Sequence, residues 1–323
     1  MNKEKQRILI TGGAGFIGSH LAEELVKRGF KVTILDNLYN GKQAYHQELF
    51  NQISFLKASV IDKDLIDVLV YNHDVIFHLA AILGVKSTMD KTVELVETNF
   101  EGTKNILHAA HKYGRKVVFA STSEVYGKAV PPFVEDGDRL YGATNKLRWC
   151  YAVGKTLEET LCLGYGLEGL PVTVIRYFNI YGPRAKEGPY AGVIPRFITA
   201  ALRGEPIQVF GDGTQTRCFT YISDAVEATI KAADPKPNNE IINIGSQNEM
   251  SIRDLAYMIR TLTNSNSPIV YVPFEKVYPV GFEEIPNRYP DLTKLRTILS
   301  FEPTVSFEEG LKETIQWFRE NLD

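Results

Sequence analysis

The chain has 323 residues, of which 44% are hydrophobic and 23% charged. That is enough for one large core with an appended lobe, and the balance excludes disorder, collagen-like repetition and coiled coil. Lys and Arg number 36 against 39 Asp and Glu, for a net charge of −3, so the basic excess that phosphate backbones demand is missing and no nucleic-acid partner is expected.

Short β-branched or aliphatic runs alternate with helical patterns from the start, as in parallel βαβ units. Arg7–Ile10 reads as a strand, Phe16–Arg28 as an amphipathic helix ended by Gly29, and Lys31–Leu35 as a second strand. The alternation continues through Ile53–Leu56, Leu65–Tyr71, Val75–His78, a helix near Thr92–Lys112 and a strand at Lys116–Ala120. A helix from near Thr144 past Glu159 then precedes a strand at Val172–Arg176. The expected fold is α/β, a Rossmann doubly wound parallel sheet over residues 1–177. Past about residue 180 come Gly- and Pro-rich loops such as Tyr181-Gly-Pro-Arg184 and Gly211-Asp-Gly213. Residues 178–323 are therefore expected to form a smaller α/β lobe, with some elements returning to the large domain. Pro235-Lys-Pro237 reads as a turn, because the pattern resumes at Ile241.

Thr11-Gly-Gly-Ala-Gly-Phe-Ile-Gly18 sits between the first strand and the first helix, with Gly12, Gly15 and Gly18 spaced G-x-x-G-x-x-G. Glycines allow a tight turn and close backbone approach, and the helix start at Phe16 and Ile17 offers free N–H groups to a pyrophosphate. Asp36 closes the second strand, where a carboxylate accepts from both ribose hydroxyls and repels a 2′-phosphate. The expected cofactor is therefore NAD and not NADP, with Asn37 beside it; Lys42, if it reached back, would soften that preference.

Tyr151-Ala-Val-Gly-Lys155 lies in a helical pattern, and a spacing of four puts phenol and ammonium on one face. A cation beside a phenol, with a positive nicotinamide ring, lowers its pKa so that it can take and return a hydroxyl proton. Ser121-Thr-Ser-Glu-Val-Tyr-Gly127 follows the fifth strand.

Together these motifs resemble the extended short-chain dehydrogenase/reductases that modify nucleotide sugars, and the likeness runs through essentially the whole chain. The resemblance implies Thr122 as the hydroxyl partner of Tyr151 at the sugar C4 oxygen, and Lys155 as a ligand of the nicotinamide ribose. It implies His78-Leu-Ala-Ala81, with Ala80, as a cofactor-lining strand end and Asn99 as a structural asparagine beside the cofactor. Asn179 and Arg184 match the family's sugar and phosphate loop, and Arg217 its diphosphate arginine. The family often carries an Asp for the adenine amine after the third strand; the closest match here is Ser59, with Asp62 three residues on. A homodimer through the helices near 92–112 and 144–165 is what such a family implies.

Oxidation at C4 of a UDP-sugar is the shared first step of that group. In a 4-keto-hexuronate the C5 carboxylate is β to a ketone, so carbon dioxide can leave with its electrons held as an enolate; without C5 chemistry the ketone is reduced from its other face. Glu124, behind Thr122 and Ser123, supplies a carboxylate for C5. Lys146-Leu-Arg-Trp-Cys-Tyr-Ala-Val-Gly-Lys155 resembles a stretch of UDP-apiose synthases and of the UDP-glucuronate decarboxylase of aminoarabinose synthesis. Gly281-Phe-Glu-Glu and Arg288-Tyr-Pro-Asp291 point the same way, with Arg288 near the phosphate and C5. Gly84-Val-Lys-Ser87 is closer to the loop of 4-epimerases, and Lys86 suits a carboxylate in either case. A dehydratase would need Asp at Ser123. The reading is UDP-hexuronate decarboxylation, with a 2-hydroxyl or 2-acetamido group; the alternatives are a UDP-sugar 4-epimerase and, more remotely, a non-catalytic NAD-binding regulator.

Phe210 is a candidate to stack on uracil, and Tyr126 either packs or touches nicotinamide. His108 and His111 lack the companions of a metal site, and Cys150, Cys162 and Cys218 are too far apart for a disulfide or thiolate framework. No metal is expected. No apolar run reaches the ~20 residues of a membrane span, and Ile8–Ile10 is too short for a signal-peptide core. The expectation is a cytoplasmic protein without a membrane partner.

Overall fold

The computed structural model describes residues 6–39, 41–42, 51–83, 90–185, 192–278 and 282–322. The strands are β1 (Arg7–Thr11), β2 (Lys31–Asp36), β3 (Ile53–Lys57), β4 (Val75–His78), β5 (Lys116–Thr122), β6 (Val172–Tyr177), β7 (Ile180–Tyr181), β8 (Ile207–Phe210), β9 (Thr216–Cys218), β10 (Thr220–Tyr221), β11 (Ile241–Ile244), β12 (Glu249–Ser251), β13 (Ile269–Val272) and β14 (Asn287–Arg288). The helices are α1 (Phe16–Lys27), α2 (Lys63–Tyr71), α3 (Thr92–Tyr113), α4 (Cys150–Leu167), α5 (Val193–Arg203), α6 (Ile222–Lys231), α7 (Ile252–Leu262), α8 (Thr293–Ile298) and α9 (Phe307–Asn321).

β1 is apolar at successive positions because helices cover both faces of the sheet. Ile8 and Ile10 join the core that contains Leu21 of α1 and Ala225 of α6. Leu9 points the other way, into the core of Ile66 from α2, Ile106 from α3 and Cys162 from α4. Seven parallel strands run in the order β11-β6-β5-β4-β1-β2-β3. The order reverses between β1 and β4, so the crevice for a ligand opens beyond the carboxyl ends of those strands. β11 comes from the second half of the chain and pairs with β6 from Ile241↔Val174 to Ile244↔Tyr177.

The remaining strands form small sheets, of which β12-β9-β14 matters most. Its register sets Arg217 beside Arg288 on neighbouring parallel strands.

α4 begins at Cys150 and not near Thr144. The Lys146 N–H turns back to the Ala143 carbonyl, and Leu147–Trp149 form a separate 3-10 turn. Arg148 and Trp149 use that turn to reach long-range acidic partners that no local pattern reveals.

Beneath the end of β5 lies Glu159 of α4. Arg176 of β6 grips it through Nε at 2.9 Å and Nη2 at 2.8 Å, Arg139 adds a contact at 2.9 Å, and Ser121 donates at 2.6 Å. Arg176 is fully buried and also donates to Tyr126 Oη and the Glu135 carbonyl. Glu159→Leu leaves Arg176 a buried cation without its carboxylate, and an expected loss of about 3–5 kcal/mol is checked by urea denaturation.

Candidate active site

β1 runs into Gly12, whose φ of +74° suits glycine and whose N–H reaches the Leu35 carbonyl at 2.8 Å. A Cβ there would sit 2.7 Å from the Ala80 nitrogen, and one at Gly18 would sit 2.7 Å from Gly13 Cα. The turn is thus packed backbone to backbone on its inner side. At Gly15 the nearest atom to such a Cβ is the Gly12 carbonyl at 3.2 Å. Gly15 is the N-cap of α1 and no side chain caps it, so the first-turn N–H groups of Phe16, Ile17 and Gly18 can receive an anion. Such a glycine cradle fits a dinucleotide pyrophosphate.

Asp36 has two tasks. One carboxylate oxygen accepts from the Ala14 N–H at 3.0 Å and the other from the Leu38 N–H at 2.8 Å, so it ties the glycine turn to the end of β2. Lys42 returns to that turn through its backbone, N–H to the Ala14 carbonyl at 3.0 Å. The Asn37 side chain accepts from Tyr39 N–H. Asp62 caps α2 by accepting from Leu65 N–H at 3.1 Å, and Ser59 Oγ accepts from Ile61 N–H. Asn99 secures the loop after β4, exchanging bonds of 2.7 and 2.9 Å with the Ile82 backbone.

Thr122 ends β5, and its hydroxyl accepts from the Glu124 N–H at 3.2 Å, starting a 3-10 turn of Ser123–Tyr126. α4 packs against both β5 and this turn, which brings Tyr151 and Lys155 to the strand end. Lys155 Nζ donates to the Ala120 carbonyl at 3.2 Å and to Glu158 at 3.1 Å, and lies 4.5 Å from the centre of the Phe119 ring. Burial, with the carboxylates of Glu158 and Glu124, pushes the Tyr151 phenol above its ordinary range. Positive charge is therefore needed to make it a base at working pH.

An arginine cluster faces this pair. Glu124 lies between Arg288 Nη1 at 2.5 Å and Arg148 Nη1 at 2.9 Å. Burial alone would raise its carboxyl, but the two guanidiniums more than offset that and hold it at about 2. Arg148 stacks 4.4 Å from the Trp149 ring centre and donates through Nε to the Glu283 carbonyl at 2.6 Å. Arg217 pairs with Glu284 at 2.5 Å; burial and neighbouring Arg288 lower it to about 10. The buried Nε of Arg288 has no hydrogen-bond partner among the described residues. Phe210 packs under the Arg196 guanidinium at 3.9 Å and edge-on to Tyr278, beside the stacked Tyr278–Phe282 pair.

Thr122, Ser123, Glu124, Tyr151, Lys155, Arg217 and Arg288 are brought to one end of the sheet. Arg184 donates to Glu23 of α1 at 2.7 Å, and Asn179 donates to the Cys218 carbonyl at 3.0 Å. Tyr126 is a core residue, stacked on Phe133 and bonded to Asn243 and Arg176. Lys86 and Gly281 lie outside the described residues. Sequence reasoning gave no role to Arg148, Glu158 or Glu284; the i, i+3 spacing of Lys155 and Glu158 was the available signal for the second.

Residues 8–245 match the NAD dependent epimerase/dehydratase family, and the chain belongs to it, an enzyme of the extended short-chain dehydrogenase/reductase type with NAD as cofactor. It is 70% identical over 316 residues to a UDP-N-acetyl-alpha-D-glucosaminuronate decarboxylase of Bacillus cytotoxicus, covering 98% of each chain. Among solved structures, a UDP-glucose 4-epimerase of Thermotoga maritima with UDP-glucose superposes with a TM-score of 0.88 at 34% identity, over 98% of this chain and 100% of that one. A UDP-glucuronic acid 4-epimerase of Bacillus cereus with UDP-glucuronic acid and NAD gives 0.86 at 31%, over 97% and 99%.

Because the Glu124 carboxyl is held below the ordinary 4.5, its pairing stabilises the fold above that pH and is lost as pH falls toward 2. Glu124→Gln is expected to cost about 3–5 kcal/mol at neutral pH. Urea denaturation should show the gap between variant and wild type narrowing from about pH 5 downward; a gap that stays constant contradicts the assignment.

Proposed function

We propose that the chain decarboxylates a UDP-hexuronate through transient oxidation at C4, with UDP-N-acetylglucosaminuronate as the preferred substrate. The observation that carries this is Glu124, an ionised carboxylate gripped by Arg148 and Arg288 just past Thr122. The 70% identical decarboxylase supports the 2-acetamido choice. NAD, when bound, would be held by the glycine turn, Asp36 and Lys155, and would supply a hydride acceptor for C4 and a positive charge that favours the phenolate.

Tyr151 takes the C4 hydroxyl proton, Lys155 stabilises the phenolate, and Thr122 orients the oxygen. With a ketone at C4, the C5–C6 bond breaks, carbon dioxide leaves, and the electron pair passes into the enolate. A proton is then needed at C5, and return of the hydride to C4, with the Tyr151 proton given back to the C4 oxygen, would restore the hydroxyl and close the cycle. The entering sugar carboxylate competes with Glu124 for Arg288, whose unpartnered Nε offers a further donor. Drawing Arg288 away lets the Glu124 carboxyl rise, so that it, or a water it holds, can deliver the proton. Arg217 holds the diphosphate, which displaces Glu284.

The 4-epimerases among the structural neighbours carry the second reading; in that reaction no proton moves at C5. The joint presence of Thr122, Tyr151 and Lys155 speaks against a silent regulator. Mass spectrometry of reactions with UDP-N-acetylglucosaminuronate and UDP-glucuronate is expected to show a product lighter by carbon dioxide, with Glu124→Ala at least about 10²-fold slower. A product of unchanged mass and inverted C4, seen by proton NMR, hands the function to the 4-epimerase reading.

The proposal includes a homodimer. α3 and α4 lie side by side and expose Val93 (68%), Val96 (39%), Val153 (48%) and Leu157 (53%), an apolar patch of the kind that protein partners cover. Val153→Glu with Leu157→Lys should give a monomer by light scattering, whereas an unchanged mass refutes this interface. No described helix is long and apolar enough to cross a membrane, and the proposed setting is the cytoplasm.

A further inference from the structure

Behind Lys155 lies a hydrogen-bonded chain that the proposed reaction does not use. Ala80 donates its N–H to Thr11 Oγ1 at 3.4 Å, and Thr11 Oγ1 lies 2.7 Å from His78 Nδ1. His78 Nε2 lies 3.1 Å from Thr103 Oγ1, and Thr103 donates to Glu158 at 2.7 Å. Lys155 donates to the same Glu158 oxygen at 3.1 Å.

The direction of every bond follows from the available protons. Glu158, ion-paired with Lys155, only accepts. Thr103 therefore gives it its one hydroxyl proton and accepts from His78. The imidazole carries its proton on Nε2, so Nδ1 accepts from the Thr11 hydroxyl, which in turn accepts from Ala80. Burial, with Lys155 close by, pushes His78 down to about 3, consistent with the neutral ring this pattern requires.

Thr11, His78, Thr103, Glu158 and Lys155 are all at most 3% exposed, and the chain ends on a backbone amide. It therefore cannot carry protons to water. Its effect is to fix one carboxylate against the lysine from beneath the glycine turn.

We propose that Glu158 is a positioning residue that fixes the Lys155 ammonium, and that its negative charge sets the pH range in which Tyr151 and Lys155 hold the protonation states needed for C4 oxidation. This rests on the NAD-dependent oxidation step proposed above but not on the decarboxylation that follows it.

The other titratable groups around the pair are neutral or already matched. Cys162, on the same helix, is pushed well up by burial and by Glu158. His78 faces from β4 and is neutral. Glu124, from the turn after β5, is matched by Arg148 and Arg288, and Glu159 by Arg176 and Arg139. α3 contributes the uncharged Thr103. Among these carboxylates Glu158 is the one that both touches Lys155 and raises the Tyr151 phenol. Deleting an anion weakens proton binding at each of them, so both limbs of a bell-shaped profile move to lower pH. A purely structural loss would lower the bell without moving it.

The test compares wild type, Glu158→Gln and Glu158→Asp by pH profiles of kcat/KM, and by ultraviolet difference titration of tyrosinate with Tyr151→Phe subtracted in each background. Glu158→Gln is expected to move both limbs, and the appearance of the Tyr151 phenolate, to lower pH by about one pH unit. Glu158→Asp keeps the charge and should restore the wild-type profile, with kcat lower by about tenfold and KM unchanged because its reach is shorter. A Glu158→Gln profile at the wild-type position overturns the proposal. If Glu158→Gln fails to fold, the smaller neutral Glu158→Ser takes its place in both titrations: limbs moved to lower pH support the proposal, and limbs at the wild-type position overturn it. If wild type turns over no sugar nucleotide, the preceding reading fails while the tyrosinate titration still decides this one.

Discussion

Charge removed from water has to be matched at hydrogen-bonding distance, and the crevice end of this sheet is arranged around that requirement. Arg176 is matched by Glu159, Lys155 by Glu158, and Arg148 and Arg288 by Glu124. Three of these groups stand on α4: Glu159 ties that helix to β6 through Arg176 and to β5 through Ser121, and Lys155 adds the Ala120 carbonyl of β5. Apolar contacts alone would tolerate a shift along the axis; a two-pronged guanidinium–carboxylate contact does not. The position of Lys155 against the end of β5 is inherited from this lock.

The same economy of groups appears at both ligand ends. Asp36 organises the glycine turn with the same carboxylate that is proposed to receive a ribose, so truncating it would disturb the turn itself. Glu124 and Glu284 neutralise the arginines that are proposed to receive the sugar nucleotide. On that proposal substrate entry exchanges one anion for another, and the two carboxylates let the protein bury these cations before it occurs.

The glycine spacing, Asp36 and the Tyr151/Lys155 pair were legible because each depends on local geometry: a turn, a strand end, one helix face. The early strands were legible through their apolar runs. The start of α4 was not, because Arg148 and Trp149 answer to Glu283 and Glu124, more than twenty residues away in either direction. The loop of Arg184 resembles a substrate loop, but its pairing with Glu23 on α1 was not legible, because the two lie 161 residues apart. Tyr126 had two readings from sequence, and the buried Asn243 of β11 decides for the core. The Glu158 chain drew no attention because its members come from β1, β4, α3 and α4, and only the tertiary fold makes them neighbours.

β11 closes the β6 edge with a strand made more than sixty residues later, and Asn243 within it carries contacts to Tyr126, Glu135, Phe133 and Asp291. During synthesis on the ribosome, the first six strands emerge with β6 as an open, apolar edge. That edge is a template for pairing with another chain. The nascent protein thus has a window of aggregation risk that closes only when residue 244 is free to dock, and the nucleotide-binding half is not a unit that could be separated or exchanged in evolution at residue 177 without supplying a replacement strand.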